Sequence, residues 1–245
     1  MNVVFLGATR GMGQALARKM ASRGDALFLL GRSAESLQEA AEDLGVRGQK
    51  SPPEHALCDL SDTATFAPAL EAATASLGRI DAVIVTAGLF GTQEQLEADP
   101  DHAQAVLTVN LANTIVFCEH ARKRLLAAGG GTLCVFSSVA GERGRKTVGI
   151  YGASKAGLSH YLESLDHKHR AAGLKTICVK PGFVKTGMTE GLKPPPFAGE
   201  PDDVAATVLK GIDAGRPVVY APPIWGLIMM VIRMLPRAIM RRVGF

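Results

Sequence analysis

Aromatic residues are scarce. One Trp, three Tyr and nine Phe make up 5% of the 245 residues, too few for a platform that stacks single-stranded bases. Excess charge of either sign is also small. The 27 Lys and Arg against 23 Asp and Glu leave a net +4, and without clustering that does not make a nucleic-acid surface, so no nucleic-acid partner is expected. Cysteine is confined to Cys58, Cys118, Cys134 and Cys178, with no C-x-x-C pair. An even count leaves a disulfide pair arithmetically open, but three of the four lie in or beside apolar runs. The pattern predicts reduced, buried thiols of a cytosolic protein. No His/Cys/Asp cluster has the spacing of a metal site, so no metal is expected; His167 and His169, on either side of Lys168 near a helix end, read as a solvated patch. No apolar run approaches the roughly 18 residues that cross a bilayer; the longest, 224–232, has half that. Met1-Asn2 leads straight into Val3-Val4-Phe5-Leu6 without a basic segment or a small-residue cleavage site. No signal peptide is expected there, and the expected location is the cytoplasm.

What remains is ordinary globular composition: 47% apolar, 20% charged, 27 Gly and 13 Pro. A chain of this length buries roughly 70–75% of its unfolded surface and needs no staples. Seven short apolar runs, at 3–6, 26–30, 56–58, 80–85, 132–136, 176–179 and 217–220, read as strands. Helical patterns at 14–23, 34–44, 64–77, 100–128, 151–172 and 201–212 separate them. The runs are continuously apolar rather than alternating, as in strands covered on both faces. Alternating β and α units predict a single-domain α/β fold: a doubly wound, Rossmann-type parallel sheet of about seven strands with helices on both faces. No linker or internal repeat divides it. Residues 1–221 form the expected domain and 222–245 a C-terminal extension.

Between the first strand and the first helix stands Gly7-Ala8-Thr9-Arg10-Gly11-Met12-Gly13. Glycines there let the backbone turn tightly and approach a pyrophosphate, and the following helix N-terminus offers amide donors. The spacing is G-x-x-x-G-x-G, not G-x-G-x-x-G, and no Lys-Ser or Lys-Thr follows as in a P-loop. The second strand ends Gly31-Arg32, so the carboxylate that accepts from ribose hydroxyls in NAD-type sites is missing and a guanidinium is present. A guanidinium suits a 2′-phosphate, and Arg10 can reach the same group, which predicts NADP(H) over NAD(H). After the third strand, Asp59 is a candidate acceptor for an adenine amino group or, alternatively, a helix cap.

Tyr151-Gly152-Ala153-Ser154-Lys155 opens a helix. Residues four apart share a face, so Tyr151 and Lys155 can point into one volume. A neighbouring ammonium is expected to lower the tyrosine pKa and make it a usable acid. Ser137 and Ser138 end the fifth strand, at the sheet edge where ligands sit, so that Ser138 and Tyr151 can converge on one carbonyl oxygen.

With these residues the chain resembles the short-chain dehydrogenases/reductases over nearly its whole length. Asn110 in Val109-Asn110-Leu111 matches the asparagine that completes that family's tetrad and holds a relay water. Pro181-Gly182 with Thr186 matches the segment that contacts the nicotinamide; Asp59 and Arg32 match the adenine-binding and NADP-preferring positions. The resemblance implies Asn110, Ser138, Tyr151 and Lys155 as catalytic residues. It implies cofactor contacts from Gly7, Thr9, Arg10, Gly11, Met12 and Gly13, then from Arg32, Asp59 and Leu60. Ala87, Gly88, Tyr151, Lys155, Pro181, Gly182, Val184 and Thr186 would complete them. The implied activity is hydride transfer between NADP(H) and a carbonyl or secondary alcohol, usually in a homodimer or homotetramer built through the two long helices. One departure stands out: the family's usual Asn-Asn-Ala-Gly is Val85-Thr86-Ala87-Gly88 here, and Thr86 is expected to supply one of the hydrogen bonds lost.

From Ile224 to Phe245 the chain is apolar and studded with arginines. Arg233, Arg237 and Arg241 are four apart and would share a helical face, although Pro236 should kink or split the helix. Three readings compete: attachment to an anionic membrane surface, a wall or lid of the substrate pocket, and packing on a partner subunit. The tail is similar to that of bacterial family members acting on a membrane-borne keto-sugar lipid, which makes a lipid-linked or keto-sugar ketone a candidate substrate. A 3-oxoacyl-type ketone reductase and a non-catalytic NADP-binding sensor or scaffold are the alternatives. Residues 187–199, with Pro194-Pro195-Pro196, fall at the family's substrate loop, where Met188, Leu192 and Phe197 suit an apolar lid.

Overall fold

The computed structural model describes residues 1–48 and 51–243. Seven strands form one all-parallel sheet: β1 (Asn2–Leu6), β2 (Ala26–Gly31), β3 (His55–Leu57), β4 (Ala82–Val85), β5 (Gly131–Phe136), β6 (Leu174–Pro181) and β7 (Val218–Ala221). Their order is β3-β2-β1-β4-β5-β6-β7. The order reverses between β1 and β4, which pair directly from Val3↔Ala82 to Leu6↔Val85. A crevice outside the carboxyl ends of such a pair is where doubly wound sheets bind ligands.

Ten α-helices connect and follow the strands among the described residues: α1 (Gly11–Ser22), α2 (Ala34–Gly45), α3 (Phe66–Leu77), α4 (Gln93–Ala98), α5 (Pro100–Leu107), α6 (Thr114–Ala127), α7 (Gly149–His169), α8 (Pro201–Asp213), α9 (Ile224–Met234) and α10 (Arg237–Met240). Successive strand residues point to opposite faces. Val3 and Phe5 therefore pack with Leu16 and Met20 of α1 and Val208 of α8. Val4 and Leu6 pack with Phe66 of α3, Phe117 of α6 and Leu158 of α7. Phe66 and Phe117 meet edge to face, centroids 5.5 Å apart. Burying rings of this size stabilises by about 1.5–3 kcal/mol each. All four cysteines are buried free thiols, and burial pushes those of Cys58 and Cys118 up. No helix among the described residues is long and apolar enough to cross a membrane.

Three expectations are corrected. The segment 100–128 is not one helix: a π-helical stretch, Thr108–Asn113, joins α5 to α6. The π stretch shifts the helical phase by a single residue without interrupting the helical run, so the pattern concealed it. The third strand stops at Leu57, short of Cys58. Arg233, Arg237 and Arg241 do not share a face, because Leu235 is extended (φ −64°, ψ 130°) and Pro236 starts a separate short helix.

Candidate active site

Beyond the carboxyl ends of β1 and β4 a side chain extends the backbone pairing of the two strands. Thr86 donates its hydroxyl to the carbonyl of Gly7 at 2.8 Å, so it supplies the bond expected of it. The turn it braces is tight. Gly7 has φ +99°, and a Cβ there would lie 2.6 Å from the Ala87 nitrogen. A Cβ on Gly13 would lie 2.1 Å from the Gly7 oxygen, so helix α1 closes directly on the turn. Arg10 caps α1 without a side-chain bond to its amides. The first-turn donors therefore have no partner within the helix and face outward. A glycine cradle with open amides fits a dinucleotide pyrophosphate. Thr9 is half-buried and Met12 lines the adjoining cavity.

Gly7 donates its amide to the Leu30 carbonyl, 3.1 Å away. The turn carrying Arg10 thus sits beside the end of β2, which is followed by Arg32. Both arginines are exposed. Asp59 lies past β3, its carboxylate accepting from the Ser61 amide at 2.8 Å; the cap of the following 3₁₀ turn is Asp62. Leu60 is buried, and its carbonyl accepts from Asn113 at 2.7 Å.

Asn110 sits in the π-helical stretch, 1% exposed. Its amide donates to the Leu89 carbonyl and accepts from the Leu89 amide, both at 2.7 Å. This two-way clamp fixes the chain just after Ala87-Gly88. A Cβ on Gly88 would meet Asn110 Oδ1 at 2.9 Å and Lys155 Nζ at 3.7 Å, so the three residues converge.

Tyr151 and Lys155 are on the first turns of α7. Lys155 is buried, donates Nζ to the Phe136 carbonyl at 3.0 Å and lies 5.8 Å from the Tyr151 ring centroid. Burial lowers its pKa to about 8. Tyr151 departs from the sequence expectation. Burial pushes its phenol up to about 12, and the effect opposing this is a hydrogen bond to Ser138 rather than the ammonium. The phenol is therefore held in its protonated, donor form. Ser138 also accepts from the Ala140 amide at 3.1 Å. Ser137, by contrast, is committed to structure: its hydroxyl donates to the Lys155 carbonyl at 2.9 Å.

These groups open into a cavity of about 730 Å³ lined by Ser138, Tyr151, Pro181, Gly182, Val184 and Thr186. Met188, Leu192 and Phe197 of the substrate-loop segment line it as well. Sequence reasoning missed Phe90, which packs edge to face on Tyr151 at 5.1 Å; its place two residues after Gly88 was the available signal. The tail reading that matches the geometry is the pocket wall. Trp225, Ile228 and Ile232 of α9 line the cavity, and Ile232 packs with Met229 and Val139 beside the Ser138 turn. Trp225 donates to the Phe197 carbonyl at 3.3 Å. Glu142, also missed, anchors this wall: its buried carboxylate pairs with Lys180 and Arg233 and accepts from Tyr220. The short segment Gly141-Glu142-Arg143 carries no pattern that foretells such a hub. Gly244 and Phe245 of the tail lie outside the described residues.

Comparison with known proteins gives the same direction. A family model described as short chain dehydrogenase matches residues 1–196. An uncharacterized oxidoreductase of Mycobacterium tuberculosis is 33% identical over 242 residues, covering 98% of this chain and 96% of its own length. Carbonyl reductase family member 4 of Xenopus laevis is 30% identical over 211 residues, covering 83% of this chain and 87% of that protein. The structure of a short chain dehydrogenase from Salmonella enterica serovar Typhi superposes with a TM-score of 0.81 at 26% identity, covering 90% of this chain and 95% of that one.

Proposed function

The chain belongs to the short-chain dehydrogenase/reductase family of oxidoreductases acting on carbonyl or CH–OH groups, and from that premise we propose that it is an NADP(H)-preferring ketone reductase with Tyr151 as proton donor. A nicotinamide held by the glycine turn, Pro181-Gly182 and Thr186 would supply or accept the hydride at the substrate carbon. Tyr151, protonated up to a pKa of about 12, delivers its phenolic proton to the oxygen as negative charge develops there. Ser138 donates a hydrogen bond to the same oxygen and stabilises that charge. Lys155 would hold the cofactor's ribose, and its ammonium lies 5.8 Å from the Tyr151 ring centroid. Asn110 clamps the Leu89 backbone, and a proton relay from Lys155 would pass beside it. The observation that carries this reading is the placement of Ser138 and Tyr151 on one cavity wall, with the Lys155 ammonium 5.8 Å from the Tyr151 ring centroid.

NADP(H) preference rests on Arg32 and Arg10, exposed cations at the ends of adjacent strands, where a 2′-phosphate gains charge-assisted contacts. The cavity is walled by Phe90, Phe183, Phe197, Trp225, Ile228 and Ile232, which suits a ketone or alcohol with an apolar body, lipid-linked or keto-sugar lipids included. Residues 1–221 are the catalytic domain and 222–245 an extension that completes the cavity. The exposed apolar face of α9, beside Arg237, Arg241 and Arg242 that follow it, meets an anionic membrane surface. The catalytic unit is a homodimer or homotetramer.

NADPH oxidation with a ketone panel tests the reading. Tyr151→Phe is expected to lower kcat at least about 100-fold while NADP(H) affinity stays within about twofold; retention of more than a few per cent of kcat sinks the assignment. Dissociation constants for the two cofactors test the preference: Arg32→Ala should reduce a strong NADP(H) bias by at least about tenfold, a loss typical of one charged hydrogen-bond pair.

A further inference from the structure

A second concavity of about 360 Å³ lies on the substrate side, between the loop after the Ser138 turn and α10. Arg143, Arg145, Lys146, Arg237 and Arg241 line it, with Met240, and no carboxylate does among the described residues. Arg143, Lys146, Arg237 and Arg241 bring four like charges to one hollow, an arrangement that an entering anion relieves. The acidic neighbour along the chain, Glu142, is turned away into its pairs with Lys180 and Arg233. The two walls are fixed relative to each other: Arg143 donates to the Leu235 carbonyl at 2.7 Å, tying the loop to the joint between α9 and α10. Arg145 lines this hollow and the larger cavity alike, so the two adjoin at that side chain.

We infer that this basic hollow is a subsite for a phosphate ester, and that it selects ketones carrying such a group alongside the carbonyl that is reduced. The inference rests on the reductase reading above. Guanidinium groups from two separate elements suit a tetrahedral anion with several oxygens; one carboxylate would be saturated by a single planar fork. The headgroup of an anionic lipid carries the same chemistry, so the test separates the two sources.

The full-length protein, saturated with NADP+ so that Arg10 and Arg32 do not contribute, is titrated calorimetrically with inorganic phosphate. Wild type is compared with R237A/R241A, both positions being exposed; thermal melting checks that the variant is folded. The expected result is at least a tenfold weaker affinity in the variant. NADPH oxidation is then followed with two ketones that differ only by a phosphate ester in place of a hydroxyl. Wild type should favour the ester at least tenfold in kcat/KM, and the variant should lose that preference through KM. If neither ketone shows preference but the variant alone stops co-sedimenting with phosphatidylglycerol vesicles, the phosphate comes from a lipid headgroup. Equal phosphate affinity in wild type and variant overturns the subsite. Failure to reduce any ketone would overturn the reductase reading, while the phosphate titration still decides the subsite.

Discussion

Lys155 is an ammonium kept where burial disfavours its charge. Its pKa falls from 10.5 to about 8, so between those values the unfolded chain binds the proton and the native one does not. Stability therefore rises with pH across that window, and at pH 7 the native state carries the full penalty. Lys155→Met keeps the length of the side chain and removes the charge. Set against the lost bond to Phe136, the variant is expected to be more stable at pH 7 by about 1–3 kcal/mol. The gain should shrink towards pH 10.5, as denaturant midpoints at pH 7 and pH 10 will report. Inactivity of the same variant would mark Lys155 as a residue whose function is retained at the expense of stability. The spacing of Tyr151 and Lys155 was legible in sequence because one helical turn fixes it. What each atom touches was not: the Lys155 partner is a carbonyl 19 positions away, at the end of strand β5, and the phenol answers to burial more than to the ammonium.

Among the elements, the strands were legible because burial on both faces leaves an unbroken apolar run. Helix limits were less so, since the π-helical stretch at Thr108–Asn113 changes the phase by a single residue. Least legible was the docking of α9, because nothing in an apolar tail says which surface it covers. Here the contact is set by a glycine. A Cβ on Gly182 would lie 2.1 Å from Nε1 of Trp225, so only a residue without a side chain lets α9 approach the cavity. Gly182→Ala should push Trp225 outward and open the wall. Trp225 is the sole tryptophan, so its emission reads the movement directly: a red shift and easier quenching by iodide are expected, with a KM for a bulky apolar ketone raised at least about tenfold. That tenfold corresponds to about 1.4 kcal/mol of lost binding, the scale of one partly exposed apolar contact. An unchanged emission maximum would show that α9 is not held at Gly182.

Across the whole molecule, charge is distributed unevenly. Arg233, Arg237, Arg241 and Arg242 are the only charged residues of 222–245, and their number equals the net charge of +4, so the rest of the chain is balanced. The same tail presents Leu227, Met230, Val231 and Met234 to solvent, at 57%, 48%, 53% and 80% exposure. Their spacing places them along one side of α9, opposite Trp225, Ile228 and Ile232 on the cavity side. An exposed apolar strip beside the molecule's entire charge excess fits the interface of an anionic bilayer, where apolar burial and attraction to lipid headgroups add. Deleting the tail cannot test this cleanly, because it would also unroof the cavity. L227E/V231E changes only the outer face. Wild type is expected to float with phosphatidylglycerol vesicles and to release them at high salt, as screened attractions do. The double variant should stay in solution with its thermal melting unchanged. Flotation of the variant at the wild-type level would instead assign the outer face of α9 to contact with another copy of the chain, which light scattering would then detect as a smaller assembly in L227E/V231E.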